Sequence, residues 1–355
     1  MEDKKIIAYK GFNHDMTCRG FQFEEGKTYE CEEAVLCEQG FHACLNPIDV
    51  LNHYIPANSV YHIVELEELS NERTNVDSKV CARKITIRER LSEEEMLQHA
   101  YDYAQSHCKE VIKNNEKDLI AIAGNECSAV SEHIRGIAIA GEYGVATTDY
   151  YSTSIVGNKG VALTYYGCAI AGDCGISSAC VDSTAIAGSS GIAIAGDMCI
   201  AVAKSKGLAV AGDNGCATIL GRGTAKAGFL GVASTLHEGT AITGDGGVSS
   251  AASFGIANTG KEGVAAAGWK GSAKSDNFGI SVSKGASQTG EYGVSVVRGK
   301  NVRVKGGNNA LLVIVEEDSD GNILHFATAI VGKDGIEHDT WYELDENGKL
   351  VKCKY

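Results

Sequence analysis

From Ala169 to Ile280 the apolar and polar positions recur every eight residues, without insertion, through fourteen units. Written from Ala185 they read AIAGSSGI, AIAGDMCI, AVAKSKGL and AVAGDNGC, a consensus of Ala-h-Ala-Gly-x-x-Gly-h in which h is apolar. A short fixed period dictates the fold before any single residue does. Position one is Ala or Ser in every unit and position three is mostly small, whereas position two admits Lys226, Asn258 and Lys274 beside Ile186 and Val210. Positions one and three share one face of a strand and position two lies on the other. The alternation therefore predicts a ladder of small side chains inside and position two outside. Gly at positions four and seven brackets a two-residue turn, where a positive φ or a close backbone approach is expected. Each octad is then a strand and a corner, and two octads make one sixteen-residue coil. Looser octads extend the register from Ala121 to Val294, which predicts about 22 octads in about 11 coils, stacked ~4.8 Å apart. An α-helix is excluded, since each interior Gly would cost it about 1 kcal/mol. The strict phase and the regular Ile and Val argue against a flexible Gly-Ala linker.

The flanks have different patterns. Lys5 to Tyr9 predicts a first strand, and Asn46 with Pro47 the capped start of a short helix. Val60 to Leu66 and Val80 to Ile87 alternate as strands. Ser92 and Glu95 form a capping box for a helix expected to run to about Lys113, with Met96, Leu97, Ala100, Tyr103 and Ala104 as its apolar stripe. Near the other end, Asp320-Gly321, Asp334-Gly335 and Asn347-Gly348 are spaced as hairpin turns. The expected fold class is mainly β: an α+β domain over 1–117, a parallel β-solenoid or β-roll of eight-residue repeats over 118–304, and an antiparallel β-meander over 305–355. A solenoid exposes unpaired edges at its ends, so the two flanking domains are expected to act as caps.

Charge narrows the partners. A formal net charge of −14 over 355 residues argues against a sequence-independent grip on nucleic-acid phosphates, which needs surplus Lys and Arg. It suits small ligands, proteins, or an acidic surface that imitates nucleic acid. The start, MEDKKIIAYKGF, lacks the apolar core of a signal peptide, and nothing approaches the roughly 18 apolar residues of a membrane span. With no export signal, the 13 Cys read as reduced thiols of a cytoplasmic protein.

His42 in GFHAC, with Tyr9, Arg19 and Tyr54, forms the best candidate for a polar ligand pocket. Cys18, Cys31, Cys37, His42 and Cys44 lack the paired spacing of structural zinc and read as packed thiols. No metal and no cofactor are expected. There is no Walker-type phosphate loop, no Ser-His-Asp order and no HExxH motif. The turn aspartates Asp173, Asp197, Asp213 and Asp245 lack the nine-residue period of a calcium roll. Where the octads slip, Tyr143, Tyr150, Tyr151, Tyr165 and Tyr166 cluster with His133 and Arg135. Breaks in a regular repeat and exposed Tyr and Arg mark interfaces. His133, Arg135, Tyr150, Tyr151, Tyr165 and Tyr166 are thus the expected partner surface, and packing on the N-terminal domain is the other reading of the tyrosines. Apolar residues on both strand faces leave one face to be buried against another chain, so a homo-oligomer is expected.

Taken together, YKGFNHDMTCRGFQFEEGKTYE, CEQGFHACLNPIDVLNHY, the octads and DTWYELDENGKLV resemble an uncharacterised family of proteins from bacteriophages and gut Firmicutes. The resemblance covers essentially the whole chain, although the octads here are richer in Ile and Val than the family's Ser-Ala-Thr-Gly units. It implies a phage setting and action in the host cytoplasm, and it transfers no catalytic residues. The expected function is a non-enzymatic binding protein that inhibits or sequesters a component of bacterial host defence. That component would be a nucleotide-like small molecule or a protein, with no direct nucleic-acid or membrane binding. An enzymatic alternative stays open, because Tyr-Lys-Gly heading a strand and the later Gly-Phe-His are similar to the nucleotide clefts of ADP-ribosyltransferase-like folds. Spacing does not assign the catalytic Glu of such a nucleotide-modifying enzyme among Glu65, Glu67 and Glu68. An acidic DNA-imitating rod and a purely structural solenoid are the remaining alternatives.

Overall fold

Side chains that are mostly Ala, Ser or Thr on one face of each strand let two parallel sheets close tightly, and they do. The computed structural model describes residues 5–74, 76–113, 120–132 and 134–353, so His133 lies outside the described residues. Parallel β-solenoid rungs, about 12 turns, occupy residues 111–316, and the N-terminal region is antiparallel. The chain divides into two compact units, Met1–Ala179 with Ala185–Ile194, and Cys180–Thr184 with Ala195–Tyr355.

The second unit holds the regular coils. Ile200–Ala203 pairs in parallel with Cys216–Ile219, which pairs with Val232–Thr235 and then Val248–Ala251. A second series runs through Gly207–Ala211, Gly223–Ala227 and Thr240–Thr243. Two octads therefore make one rung. Ala201, Ala209, Ala217, Ala225, Ala233 and Ala241 are fully buried, while Ile200, Val232 and Val248 remain exposed. Further along, hydroxyls replace methyl groups inside. Thr243 Oγ1 lies 3.0 Å from both Ser249 Oγ and Thr259 Oγ1, and Ser287 Oγ lies 2.7 Å from Ser281 Oγ and 2.8 Å from Ser295 Oγ. Buried polar groups are tolerated when they satisfy one another.

The corners work differently from expectation. Positive φ falls mostly not on the octad glycines, Gly223 (149°) excepted, but on position six, as at Met198 (56°), Asn214 (55°), Leu230 (52°) and Phe254 (58°). The glycines are required for space. A Cβ on Gly212 would stand 2.2 Å from Asp197 Oδ1, and one on Gly215 would stand 2.8 Å from Ala211 Cβ. Position five explains the recurrent Asp. Asp197 Oδ1 accepts from the Asp213 amide at 2.7 Å, Asp213 Oδ1 from that of Phe229 at 2.7 Å, and Asp245 Oδ1 from that of Lys261 at 2.8 Å. Each carboxylate thus satisfies a turn N–H one rung further on.

The unit ends in a meander. Leu311–Glu317 is the last parallel strand, and Ile323–Ile330 folds back on it antiparallel. Tyr342–Leu344 then pairs with Leu350–Lys352 and, at Tyr342, with Val304. Gly321, Gly335 and Gly348 take φ of 86°, 80° and 75° in the expected turns. Here the Ala ladder yields to larger residues, and Val297, Val304, Leu312 and Ile314 pack with Val331 and Tyr342.

In the first unit, β1 (Ile6–Asn13), β2 (Thr28–Glu30), β3 (Phe41–Cys44), β4 (Ser59–Leu69) and β5 (Lys79–Leu91) form one sheet in the order β2-β5-β3-β1-β4. A further pairing of β4 with β5 closes β1, β4, β5 and β3 into a ring around Ala8, Phe12, Val64, Leu66, Ile85 and Ile87. Helix α1 (Glu93–Ser106) carries the predicted capping box of Ser92 and Glu95. It stops at Ser106, well short of Lys113, because Val111–Lys113 is already a rung strand paired with Ser128–Val130. The predicted short helix is a 3-10 segment, Pro47–Asn52, in which Asn46 Oδ1 accepts from the Ile48 amide at 3.1 Å. These elements pack along the flank of the coils. Helix α1 packs on Val145–Thr148 and Val161–Ile170, where Val145 and Val161 are buried, whereas Val111, Ile120 and Ile122 of the first rung stay exposed. The N-terminal domain thus docks on the side of the coils. Among the described residues no helix is long and apolar enough to cross a membrane.

The inward and outward assignment of the coils can be measured by denaturant unfolding. Ala217→Leu should cost ~1–3 kcal/mol by overpacking. Asp213→Ala should cost about 1 kcal/mol through its lost turn bond. Thr218→Val, one residue along and facing outward, should cost less than ~0.5 kcal/mol. An equal loss for Ala217→Leu and Thr218→Val would contradict the assignment.

Candidate functional site

A cavity of about 530 Å³ opens in the N-terminal domain between β1, β3, the loop around Arg19 and the chain at His53 and Tyr54. Tyr9, Arg19, His42 and Tyr54, the predicted pocket residues, all border it, together with Lys10, Cys18, Phe21 and Lys79. The residue at its centre is one that sequence reasoning missed. Alternation along β1 places Ala8, Lys10 and Phe12 on the same inward face, and Lys10 is only 6% exposed. A lysine therefore stands at a register position that calls for an apolar side chain. That alternation was the signal that could have found it.

Lys10 Nζ donates to the His42 carbonyl at 2.8 Å and lies 5.5 and 5.7 Å from the ring centroids of Phe12 and Phe23. Among the described residues it has no carboxylate partner. Burial pulls its pKa below the usual lysine value, and Cys18 offsets this only in part. Desolvation disfavours the charged form in this way wherever no counter-ion compensates.

The surrounding groups are held in place from several sides. A Cβ on Gly11 would stand 2.4 Å from Tyr54 Cβ and Cγ, so glycine in Tyr-Lys-Gly-Phe lets Tyr54 lie against β1. The Tyr54 hydroxyl donates to Cys18 Sγ at 2.6 Å, and burial, then this bond, push the phenol pKa up. His42 Nε2 accepts from the Cys37 amide at 2.8 Å. Burial, then Lys10, push the His42 pKa down, so the imidazole is neutral and fixes the loop while its carbonyl holds Lys10. Tyr9 differs, because its hydroxyl meets His99 Nδ1 of α1 at 3.1 Å. Arg19, in a left-handed conformation with φ of 50°, is exposed at the mouth. Phe21 is 48% exposed and packs edge-on against Phe23 and Tyr29, with centroids 4.7 and 5.3 Å away.

Lys10, Arg19 and Lys79 face only one lining carboxylate, that of Glu38. In a chain of net charge −14, this is a locally positive cavity. Glu65 pairs with Arg88 at 2.8 Å, Glu67 with Lys84 at 3.6 Å and Glu68 with Arg83 at 2.7 Å. None of these three glutamates borders the cavity. The Cys44 thiol is pushed up to about 12 by burial and then by the charges of Asp49 and Asp77, which keeps it protonated and unreactive. Among the described residues no group of three or more His, Cys, Asp or Glu is placed to hold a metal ion.

The slipped octads separate into two places. Tyr143 belongs to a buried joint. Asp49 Oδ1 accepts from Lys159 Nζ at 3.2 Å and from the Tyr143 hydroxyl at 3.4 Å, while Lys159 Nζ also donates to that hydroxyl at 2.5 Å. Burial pulls the Lys159 pKa down, but its bonds to Tyr143 and Asp49 outweigh this and the net shift is upward. Cys174 Sγ donates to Asn52 Oδ1 at 3.1 Å beside them. Tyr150, Tyr151, Tyr165 and Tyr166 gather at the other corner of the coils. Tyr166 stacks on Tyr150 and Tyr151 at 5.3 and 5.8 Å, and Tyr165 meets Tyr150 and Tyr166 edge-on at 5.3 and 5.1 Å. Ser152 pairs there with Gly167, one residue short of the regular sixteen. The amide of Arg135, itself exposed, donates to the Tyr150 carbonyl at 3.0 Å. These tyrosines thus form an open aromatic step away from the joint that Asp49 makes.

Lys10 carries a pH signature. The folded chain holds its proton less tightly than the unfolded chain, so between the lowered pKa and the ordinary 10.5 the unfolded state binds more protons and stability rises with pH. Lys10→Met should therefore stabilise the fold by ~1–4 kcal/mol at low pH, with the gain shrinking as pH rises toward that ordinary value. Urea unfolding of both proteins at several pH values measures this, and an absent gain at every pH would show that no charge is buried there.

Neither a curated protein nor a solved structure matches the chain. Residues 6–99, the segment that carries the closed ring and the cavity around Lys10, match the family model of a domain of unknown function, DUF7666.

Proposed function

We propose that the N-terminal cavity captures a small anionic molecule bearing an aromatic ring, of which a nucleotide is the best-fitting class, and that the protein acts by binding and not by turnover. The observation that carries this reading is the buried amine of Lys10 without a carboxylate partner. An entering anion would supply the missing counter-charge inside a low-dielectric site, where such a pair is worth most. Arg19 at the mouth offers a planar fork suited to phosphate, and Lys79 adds a third cation. Phe21 presents an exposed ring to a base. A volume of about 530 Å³ lies within the range of small-ligand pockets. The protonated Cys44 and the outward ion pairs of Glu65, Glu67 and Glu68 supply no activated nucleophile or base, which favours capture over an ADP-ribosyltransferase-like reaction. In the bacteriophage setting that the resemblance implies, the ligand would be a nucleotide signal of host defence, sequestered in the host cytoplasm.

A second reading rests on the exposed tyrosine step. Tyr150, Tyr151 and Tyr165 are 42%, 70% and 45% exposed, and such aromatics beside Arg135 fit the anchor of a protein interface. On this reading a host defence protein docks there, with His133 adjacent in sequence.

Calorimetry on the full chain separates these possibilities. ADP, ATP and a cyclic dinucleotide are each compared with inorganic phosphate. At least one nucleotide should bind more than tenfold tighter than phosphate, and Lys10→Met or Arg19→Ala should weaken it by about tenfold, or ~1.4 kcal/mol. Mass spectrometry should recover the nucleotide unchanged. A converted nucleotide would favour the enzymatic alternative, and failure of every nucleotide to bind would overturn the reading.

A further inference from the structure

We propose that the second unit is the dimer interface of this protein, through one uncharged face of its coils, with the two copies related by a two-fold axis parallel to the stack of rungs. The inference rests on a different surface from the cavity and stands whatever the cavity binds.

Along this face the ladder partners run from Ile200 through Cys216, Val232, Val248 and Val264 to Ile280. Two residues further along the same strands, a second outward row runs through Val202, Thr218, Ser234, Ser250, Ala266 and Val282. Neither row contains a charge. Ile200, Val232, Val248, Val264, Ile280 and Val282 keep between 37 and 45% of their surface exposed. Contiguous exposed apolar surface of this kind is what marks an interaction face on a protein.

The two corners beside the stripe have opposite character. One carries Asp197, Asp213, Asp245, Glu262, Asp276 and Glu291, with Lys261 its only cation. The other carries Lys204, Lys206, Arg222, Lys270 and Lys284, with Glu238. Arg222 is paired with Glu238 at 2.6 Å and Lys284 with Glu317 at 3.4 Å. Lys204, Lys206 and Lys270 have no ion pair among the described residues.

A second copy is the occupant that fits both features. It brings an uncharged stripe with the same rung spacing, ~4.8 Å, so that side chains can interdigitate rung by rung across a sheet separation of ~10 Å. The corners then choose the symmetry. An axis parallel to the stack sets each acidic corner against the partner's basic corner, on both edges of the interface. An axis along the strands would set acid on acid and base on base. Charge complementarity selects the first, and the isologous contact closes at two copies.

Sedimentation of the full chain over a range of concentrations tests this. The protein should be a dimer at micromolar concentration. Val248→Lys, in the middle of the stripe, should raise the dimer Kd at least about 100-fold, while Thr240→Lys on the other face of the coils should leave it unchanged. Should Val248→Lys fail to fold, the pair Lys204→Glu and Lys206→Glu should weaken association in the same direction. Carbodiimide treatment of mixed light and heavy-isotope chains should join carboxylates of the acidic corner to Lys204, Lys206 or Lys270 of the other copy. A dimer without such links, or one unaffected by Val248→Lys, would overturn the proposal. So would a monomeric wild type, and one that binds phosphatidylcholine vesicles through Val248 would show a lipid surface as the occupant.

Discussion

Two sheets held apart by a single small side chain per position impose most of what else is seen in the coils. Because Ala201, Ala217 and Ala233 already fill most of the interior, with Ile219 an exception at position three, there is little room inside for the Ile and Val that recur beside them. Those side chains go outward. Stability must then come from dense packing and from backbone bonds continued rung to rung, not from burying large apolar groups in a central core. The corners obey the same limit. Neighbouring rungs approach so closely there that a Cβ at position four or seven meets the chain one rung away, and the left-handed residue is displaced to position six.

Pushing apolar side chains outward moves the solubility problem to the surface, and the two units meet it differently. In the first, α1 lies over one outward face and buries Val145 and Val161. In the second, the exposed row from Ile200 to Ile280 has no such cover within its own unit. The segment Pro47–Asn52 has a double position in the first unit. Asp49 anchors it to the corner at Tyr143 and Lys159, while Val50 borders the cavity. The surroundings of the cavity and the docking of the domain on the coils thus depend on one turn of chain.

The repeat was legible because repetition amplifies a weak signal. One Ala-Ile-Ala is ambiguous, but fourteen in phase define a face, a period and a corner. The pocket was legible in part. Tyr9, Arg19, His42 and Tyr54 sit in conspicuous glycine- and aromatic-rich stretches, and folding gathers them around one cavity. Lys10 escaped notice because a lysine within a strand reads as solvent-facing, and only the register that aligns it with Ala8 and Phe12 reveals it as buried. The helix end at Ser106 was misread because the apolar spacing of α1 runs on into Val111 and Ile112, which prefer a strand once a parallel partner is available. The side-on dock of the N-terminal domain depends on Asp49 meeting Lys159 across 110 positions of sequence, a contact that no local pattern encodes.

The pairing of each octad with the second one after it, and not with its neighbour, also governs how this gene can change length. Loss or gain of sixteen residues within the regular coils removes or adds one whole rung and leaves every downstream residue on its original side. Loss or gain of eight moves every downstream strand to the opposite sheet, so that aspartate corners continue as lysine corners and the uncharged stripe ends at the scar. Duplication of a single octad is therefore a disruptive event, although it preserves the repeat perfectly at the level of sequence. The lengths open to the lineage are quantised in pairs, and the alternation of AITGDGGV-like and ASTLHEGT-like units records that count.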